Sequence, residues 1–297
     1  MCIRDSLSAV RPAGLTLLKP RDVESHKGTY GRALIVGGSL GMAGAVGLSG
    51  MSALRTGAGL VRLAVPRGIV TTVASYEPAY MTLPLPEDGD GRLEASSLSS
   101  LLDAAMPATA VAVGPGLGRS HGVSTIVSRL FTDVVQPAVF DADALNALAE
   151  HCDALSTHAG PRILTPHPGE FERLTGGRKF ADRAAMCEAA AKLAADTQTI
   201  VVLKGHGTFV TDGTRRYTNT TGNPGMATGG TGDVLTGIVT ALLCQELTPW
   251  EAACLGVFVH GLAGDAAAAE LGMPSLIASD LIRYLPYAVQ SVIASRT

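Results

Sequence analysis

Seven short runs of β-branched and apolar residues recur along the chain, separated by longer stretches with helical spacing. The runs are RALIVGG (32–38), VRLAVP (61–66), TAVAVGPG (109–116), PAVFDAD (137–143), RILTPH (162–167), TIVVLKG (199–205) and TFVTDG (208–213). They are continuous rather than alternating, the pattern of strands covered on both faces. Helical spacing covers 43–56, 96–105, 120–130, 168–175, 180–196, 232–245, 249–271 and 279–294. Such alternation predicts a three-layer α/β fold, a mainly parallel sheet with helices on both faces. No shift in composition separates two halves, so residues 15–297 read as one domain, with PLPEDGDGRLEASS (84–97) as a single exposed excursion. Residues 1–14 read as a disordered or non-native tail, MCIRDS above all.

The bulk properties narrow the function. A net charge of −3 provides no basic field for nucleic acid or an anionic membrane, and 4% aromatic residues provide few surfaces for base stacking. The five cysteines are scattered without a C-x-x-C pair, as in a reduced compartment. The N-terminus lacks the apolar core of a secretory signal, and the most apolar stretch, 249–271, carries Glu251, His260, Asp265 and Glu270. A cytoplasmic protein without membrane or nucleic-acid partners is expected.

The chemistry-bearing residues gather just after the apolar runs: GGSLGMAGA, GPGLG, DAD, TPHPGE and KGHGT. In an open parallel sheet ligands bind beyond the carboxyl ends of the strands, so these endings point to one continuous site. The richest motif is GNPGMATGGTGDVLTG (222–237), after which Val234, Leu235, Ile238, Val239, Leu242 and Leu243 form a buried helical stripe. Gly229, Gly230, Thr231 and Gly232 therefore lead into a helix N-terminus, where unpaired N–H groups and the positive end of the dipole collect anions. Asp233 is placed to take a proton from a substrate hydroxyl beside bound phosphates; the plain alternative is that it caps the helix.

No G-K-[ST] follows those glycines, so this is not a Walker A loop, and GGSLGMAGA lacks the G-x-G-x-x-G spacing of a dinucleotide fingerprint. Lys204 and Thr208 of KGHGT stand where a nucleotide's phosphate or ribose could meet them, though the segment also reads as a plain hairpin. Glu170 of TPHPGE could hold a magnesium ion through water and His167 could hydrogen-bond a substrate. Asp141 and Asp143 are paired carboxylates at a strand end, with Asp143 also readable as a helix cap and Asn146 as solvent-facing. His260 and Asp265 read as a satisfied core histidine and a partly exposed acid rather than ligands.

HKGTYGRALIVGGS, RTGAGLVRLAVP, VGPGLG, VFDADALNAL, LTPHPGEFERL, VLKGHGT and NPGMATGGTGDVLTG occur in the order that marks NAD(P)H-hydrate dehydratases, and from about Leu15 onward the chain resembles that family. The resemblance implies a ribokinase-like fold. It also implies nucleotide-dependent dehydration of (6S)-NADHX or NADPHX, the water adducts of NADH and NADPH, by phosphorylation of the hydrate hydroxyl and elimination of phosphate. On this basis Asp233 is the general base and a substrate contact. Lys204, Gly205, His206, Gly207 and Thr208 bind the adenine nucleotide, and Asn223, Thr228, Gly229, Gly230, Thr231 and Gly232 hold its phosphates. Ala45, Gly116, Gly118 and His167 line the hydrate pocket. Mg2+ and ADP or ATP are the implied cofactors, with ADP the expected donor, and a homo-oligomer is the implied assembly. No epimerase domain is seen before residue 15, so the chain is expected to act on one epimer, with an NAD(P)H-hydrate epimerase as functional partner. Kinases of this fold carry T-P-N-x-x-E where this chain has Thr165-Pro166-His167-Pro168-Gly169-Glu170, and the histidine favours the dehydratase. The competing expectations are a vitamin-precursor kinase of the same fold, which would stop at the phosphate ester, and a nucleotide-binding regulator, which would not need Asp233.

Overall fold

The computed structural model describes residue 12 and residues 14–150 and 152–294. The tail expected over 1–14 falls almost wholly outside the described residues. Within them, nine strands form one sheet: β1 Arg32–Val36, β2 Leu60–Pro66, β3 Met81–Leu85, β4 Ala110–Val113, β5 Ala138–Phe140, β6 Arg162–Leu164, β7 Ile200–Leu203, β8 Phe209–Thr211 and β9 Arg216–Thr218. Their spatial order is β3-β2-β1-β4-β5-β6-β7-β8-β9. β1 through β7 are parallel, and β8 and β9 add antiparallel pairs at one edge. The α-helices are α1 Ala43–Thr56, α2 Val70–Tyr76, α3 Leu98–Ala105, α4 His121–Asp133, α5 Asp143–Ala149, α6 Pro168–Leu174, α7 Arg183–Thr197, α8 Thr231–Cys244, α9 Pro249–Leu271 and α10 Ala278–Ser291.

Alternate strand residues serve opposite layers, which is why the apolar runs are continuous. Ala33 and Ile35 join the core built with α1, α8, α9 and α10. Leu34 and Val36 join the core built with α3, α4 and α5, while Val201 and Leu203 pack with α6 and α7. Every residue of α8 from Val234 to Cys244 is buried, as expected of a helix apolar on all sides at the centre of a layer. α9 is long and apolar enough to cross a membrane by composition, yet it lies mostly inside the protein.

The chain crosses from β1 to β2 on one side and to β4 on the other, so the direction of winding reverses between β1 and β4. A crevice opens outside the carboxyl ends of strands at such a reversal. The loops after β1 and β4 close it, with the Gly38 N–H donating to Pro115 O at 2.7 Å.

The structure shortens the expected strands at their carboxyl ends: 32–38 becomes 32–36, 109–116 becomes 110–113 and 137–143 becomes 138–140. The residues shed are the glycines and polar groups that turn out of the sheet to build the site. The two strands absent from the sequence reading, β3 and β9, are the sheet's two edges. β3 contains Pro84, which an edge tolerates because one side of the ladder is unpaired. β9, Arg-Tyr-Thr, is short and half-exposed. The 84–97 segment is less exposed than expected, since Leu93 is wholly buried and Leu40 N–H donates to Gly91 O.

Gly237 lets α8 lie against α1. A Cβ there would stand 2.1 Å from both Ser49 O and Ser52 Oγ. Gly237→Ala must force the two helices apart, at a cost of about 1–3 kcal/mol or more. A fall in Tm of roughly 2–10 °C by thermal unfolding is expected.

Candidate active site

α8 begins without a side-chain cap. Its N-cap is Gly230, held at φ 92, and no side chain bonds the first turn. Asp233 is the third helical residue and does not cap, so the plain alternative for it fails. The N–H groups of Thr231, Gly232 and Asp233 precede the first intrahelical donor, Val234, whose N–H reaches Gly230 O at 3.1 Å. Three aligned amides at a dipole end with no protein acceptor supplied form an anion site. A Cβ at Gly229 would meet nothing within 4 Å, so the approach is open. Thr231 contributes its amide rather than its hydroxyl, since Oγ1 donates back to Met226 O and Thr228 O at 3.1 Å.

Beneath this turn lies a cluster of charge that the strand ends assemble. Lys204, just past β7, points inward and donates to Asp141 Oδ1 at 2.7 Å; Glu170 Oε2 stands 3.7 Å away. Thr236 Oγ1, one turn into α8, donates to Asp141 Oδ2 at 2.8 Å. A Cβ on Gly232 would lie 3.3 Å from Lys204 Nζ and 3.7 Å from Asp141 Oδ2, so the helix start packs closely on the pair. Burial works against the Lys204 ammonium, but the Asp141 and Glu170 carboxylates outweigh it and hold its pKa above the ordinary value. Burial pushes Glu170 up to about 6. Asp233 is pushed up to about 7, first by burial and then by Asp141, against the pull of Lys204. An acid at that value is matched to proton transfer near neutrality.

On one side of α8 a cavity of about 460 Å³ opens between the KGHGT turn, the 219–227 loop and α9. Lys204, Gly205, His206, Gly207, Thr208, Asn223, Thr231 and Gly232 line it, together with Asn219 and His260. Thr228, Gly229 and Gly230 border the helix start without lining the cavity. The turn keeps its glycines because Gly205 and Gly207 have φ of 137 and 61, and Thr208 Oγ1 closes it by donating to Gly205 O at 3.0 Å.

On the other side the loops after β1 and β4 meet. A Cβ on Gly116 would stand 3.0 Å from Ala45 Cβ, and one on Gly118 would stand 3.2 Å from Arg92 Cδ. Ala45, Gly116 and Gly118 thus share one wall, which the 84–97 excursion completes through Arg92. Ser49 joins this wall to α8, its Oγ lying 2.8 Å from Asp233 O and 3.2 Å from Ala45 O. Asp143 Oδ2 accepts the Gly118 N–H at 2.9 Å, so Asp143 braces this loop and does not cap α5. Asn146 is half-buried, and its Oδ1 accepts from Arg173 Nε at 2.8 Å in an exposed pair.

His167 is the N-cap of α6. Its Nδ1 accepts from the Gly169 and Glu170 N–H groups at 3.0 and 3.3 Å, while Glu170 Oε2 accepts the His167 N–H at 2.8 Å. This is a capping box in which histidine does what a shorter polar residue usually does. Burial and the Lys204 charge hold the imidazole below its ordinary pKa. With Nδ1 committed as an acceptor, only the Nε2 edge remains for a ligand.

The profile of the NAD(P)H-hydrate dehydratase family matches residues 33–287. The chain belongs to the NAD(P)H-hydrate dehydratase family. It is 46% identical over 277 residues to the bifunctional NAD(P)H-hydrate repair enzyme of Moorella thermoacetica, covering 93% of this chain and 52% of that protein. The chain thus spans about half the length of the curated relatives it matches. Among solved structures it is similar to the ADP/ATP-dependent NAD(P)H-hydrate dehydratase of Bacillus subtilis co-crystallized with ATP/Mg2+, with TM-score 0.79, 32% identity and coverage of 93% and 95% of the two chains. It is also similar to a ribokinase-like superfamily protein of Enterococcus faecalis, with TM-score 0.80, 25% identity and coverage of 98% and 95%. The α/β fold is ribokinase-like, as expected.

In this dehydratase-family chain, sequence reasoning left Asp141 and Asp143 with open roles and did not find Ser49 or Thr236. Ser49 and Thr236 sit inside apolar helical stripes, where a hydroxyl leaves little signal. His260 is satisfied as expected, its Nε2 bonding Thr231 O at 2.9 Å.

The raised pKa of Asp233 has a consequence for stability. Its folded value, about 7, exceeds the ordinary aspartate value of 3.8, so the ionised carboxylate destabilises the fold. That cost is absent below about pH 4, where the group is protonated folded or unfolded, and complete above about pH 7. Asp233→Asn should raise Tm at pH 8, and the gain should shrink to nothing as pH falls to 4; equal shifts at both pH values would contradict the assignment.

Proposed function

We propose that the chain restores NADH or NADPH from the (6S) hydrate, with ADP the expected phosphoryl donor and ATP the alternative. The observation that carries this reading is Asp233, held near pKa 7 on an uncapped helix N-terminus between a nucleotide-sized cavity and the Ala45–Gly116–Gly118 wall. Asp233 takes the proton of the hydrate hydroxyl as its oxygen forms a bond to the terminal phosphorus and the nucleotide leaves, AMP from ADP or ADP from ATP. The amides of Thr231, Gly232 and Asp233 receive the charge of the transferred group in a fixed arrangement. The ring nitrogen's lone pair then expels phosphate, the neighbouring carbon gives up a proton, and the ring double bond is restored. Hydroxide is a poor leaving group and phosphate a good one, so one base and an anion site suffice.

A magnesium ion is implied by the family. Both Asp141 oxygens and Glu170 Oε2 already accept hydrogen bonds. Among the described residues no group of three His, Cys, Asp or Glu side chains could hold a metal by itself. The residues therefore fit an ion carried on the nucleotide phosphates, with Glu170 Oε1, 3.4 Å from His167 Nε2, left to meet its water shell. Bound there, the ion neutralises charge on the phosphoryl group. An epimerase acting on the other hydrate epimer is the proposed functional partner.

Hydrated NADH mixed with the chain, magnesium and ADP should regain the absorbance of reduced nicotinamide; a stable phosphate ester instead would make the protein a kinase. Asp233→Asn should lower turnover by about 10²–10⁴-fold while Mg–ADP still binds. For the parent, kcat/KM should climb through about pH 7, since the base works only ionised. A profile flat from pH 5 to 9 would remove Asp233 from that role.

A further inference from the structure

One face of α9 holds the loop that carries the nucleotide site. His260, Gly261, Gly264 and Asp265 fall at i, i+1, i+4 and i+5, a single helical face. Burial pulls the His260 imidazole down to about 4, so it is neutral and donates its Nε2 proton to Thr231 O at 2.9 Å. A Cβ on Gly261 would lie 2.2 Å from Thr221 Oγ1, and one on Gly264 would lie 2.2 Å from Met226 Sδ. The loop therefore rests on helix backbone at both glycines.

Asp265 makes the polar half of this contact. Its Oδ2 accepts the Gly222 N–H at 2.8 Å and its Oδ1 accepts from Asn223 Nδ2 at 2.9 Å. Asn223 Oδ1 in turn accepts the Gly225 N–H at 3.0 Å and caps the short 3₁₀ turn Pro224–Met226. That turn leads directly to Thr231, whose hydroxyl closes on Met226 O and Thr228 O. A segment outside the sheet, with Gly222 at φ 101, has no ladder to order it and depends on such anchors. The Asn223 side chain is thereby committed to the loop and to α9.

We propose that Asp265 is a positioning residue for the nucleotide, acting through Gly222 and Asn223 to hold the 222–231 loop against α9 so that the cavity wall and the α8 amides keep their binding shape. The proposal rests on the nucleotide-site reading above. It moves Asn223 from the ligand contacts to the loop's support. The carboxylate's two charge-assisted bonds are the strongest anchors the loop has outside its own turn.

The test uses the full chain, Mg–ADP as probe and titration calorimetry, with kinetics on hydrated NADH alongside. Asp265→Asn puts an amide donor against Gly222 N–H or Asn223 Nδ2. Mg–ADP affinity should fall, and nucleotide KM rise, by roughly tenfold or more, with kcat at saturating nucleotide within about threefold. The double swap Asp265→Asn with Asn223→Asp restores every pairing: Asn at 265 accepts from Gly222 and donates to Asp at 223, which still accepts from Gly225. It should recover most of the lost affinity, which a merely structural lesion at 265 would not allow. Unchanged Mg–ADP binding by Asp265→Asn would overturn the proposal. So would a double swap no better than the single variant, because the carboxylate would then act directly and not through Asn223. Failure of the unsubstituted chain to bind Mg–ADP would overturn the nucleotide site itself, and the clamp's role with it.

Discussion

The Lys204 ammonium is the interaction on which the rest of the site depends. It stands 2.7 Å from Asp141 and 3.7 Å from Glu170, with Asp233 near enough to feel its charge. These acids arrive from the end of β5, the first turn of α6 and the first turn of α8, and the ammonium is the cation they share. Buried ion pairs contribute little net stability, but leaving one partner alone is expensive. The pair therefore acts as a register pin: the ends of β5 and β7 and the start of α8 must come together for any of these charges to be tolerated.

The same geometry bears on the uncapped start of α8. Four helices carry side-chain caps, from Ser120 on α4, Asp182 on α7, a capping box at Thr248 on α9 and another at His167 on α6, whereas α1, α2, α3 and α5 have none. Among the described residues, only at α8 does glycine precede a first turn with no side-chain acceptor while an acid sits inside it. The unpaired amides and the desolvated Asp233 are local costs. They are offset by the layer in which α8 is buried between α1 and α9. Ala142 at φ 51, between Asp141 and Asp143, is a second local cost at the same edge.

Much of this was legible in the sequence. Continuous apolar runs signalled strands covered on both faces. Glycine and polar clusters after those runs marked the carboxyl edge, and GGTGD marked the anion site with its acid. These features are local, because strand burial, helix spacing and backbone freedom are each written within about ten neighbouring residues. The edge strands β3 and β9 escaped because an edge needs neither continuous burial nor a full ladder. The strand ends were overdrawn because residues that leave a sheet to form a site are as apolar or as small as those that stay.

What only the tertiary structure decided is pairing across the chain. Lys204 lies 63 residues from the carboxylate it bonds, and Thr236 lies 95 from the same group. Nothing in either neighbourhood names the other. Lys204, read as a contact to a nucleotide's phosphate or ribose, is also the counter-ion of a buried acid; His167, read as a substrate contact, is also a helix cap. Asp265, read as a partly exposed acid, proved to grip the loop 42 residues earlier. The sequence by itself determined which residues could carry charge, turn sharply or bury a face, since those are properties of side chain and backbone. Which charge meets which, and so which acid has its pKa raised toward neutrality, was decided by the sheet order, because desolvation and Coulomb interaction depend on distance in space and not along the chain.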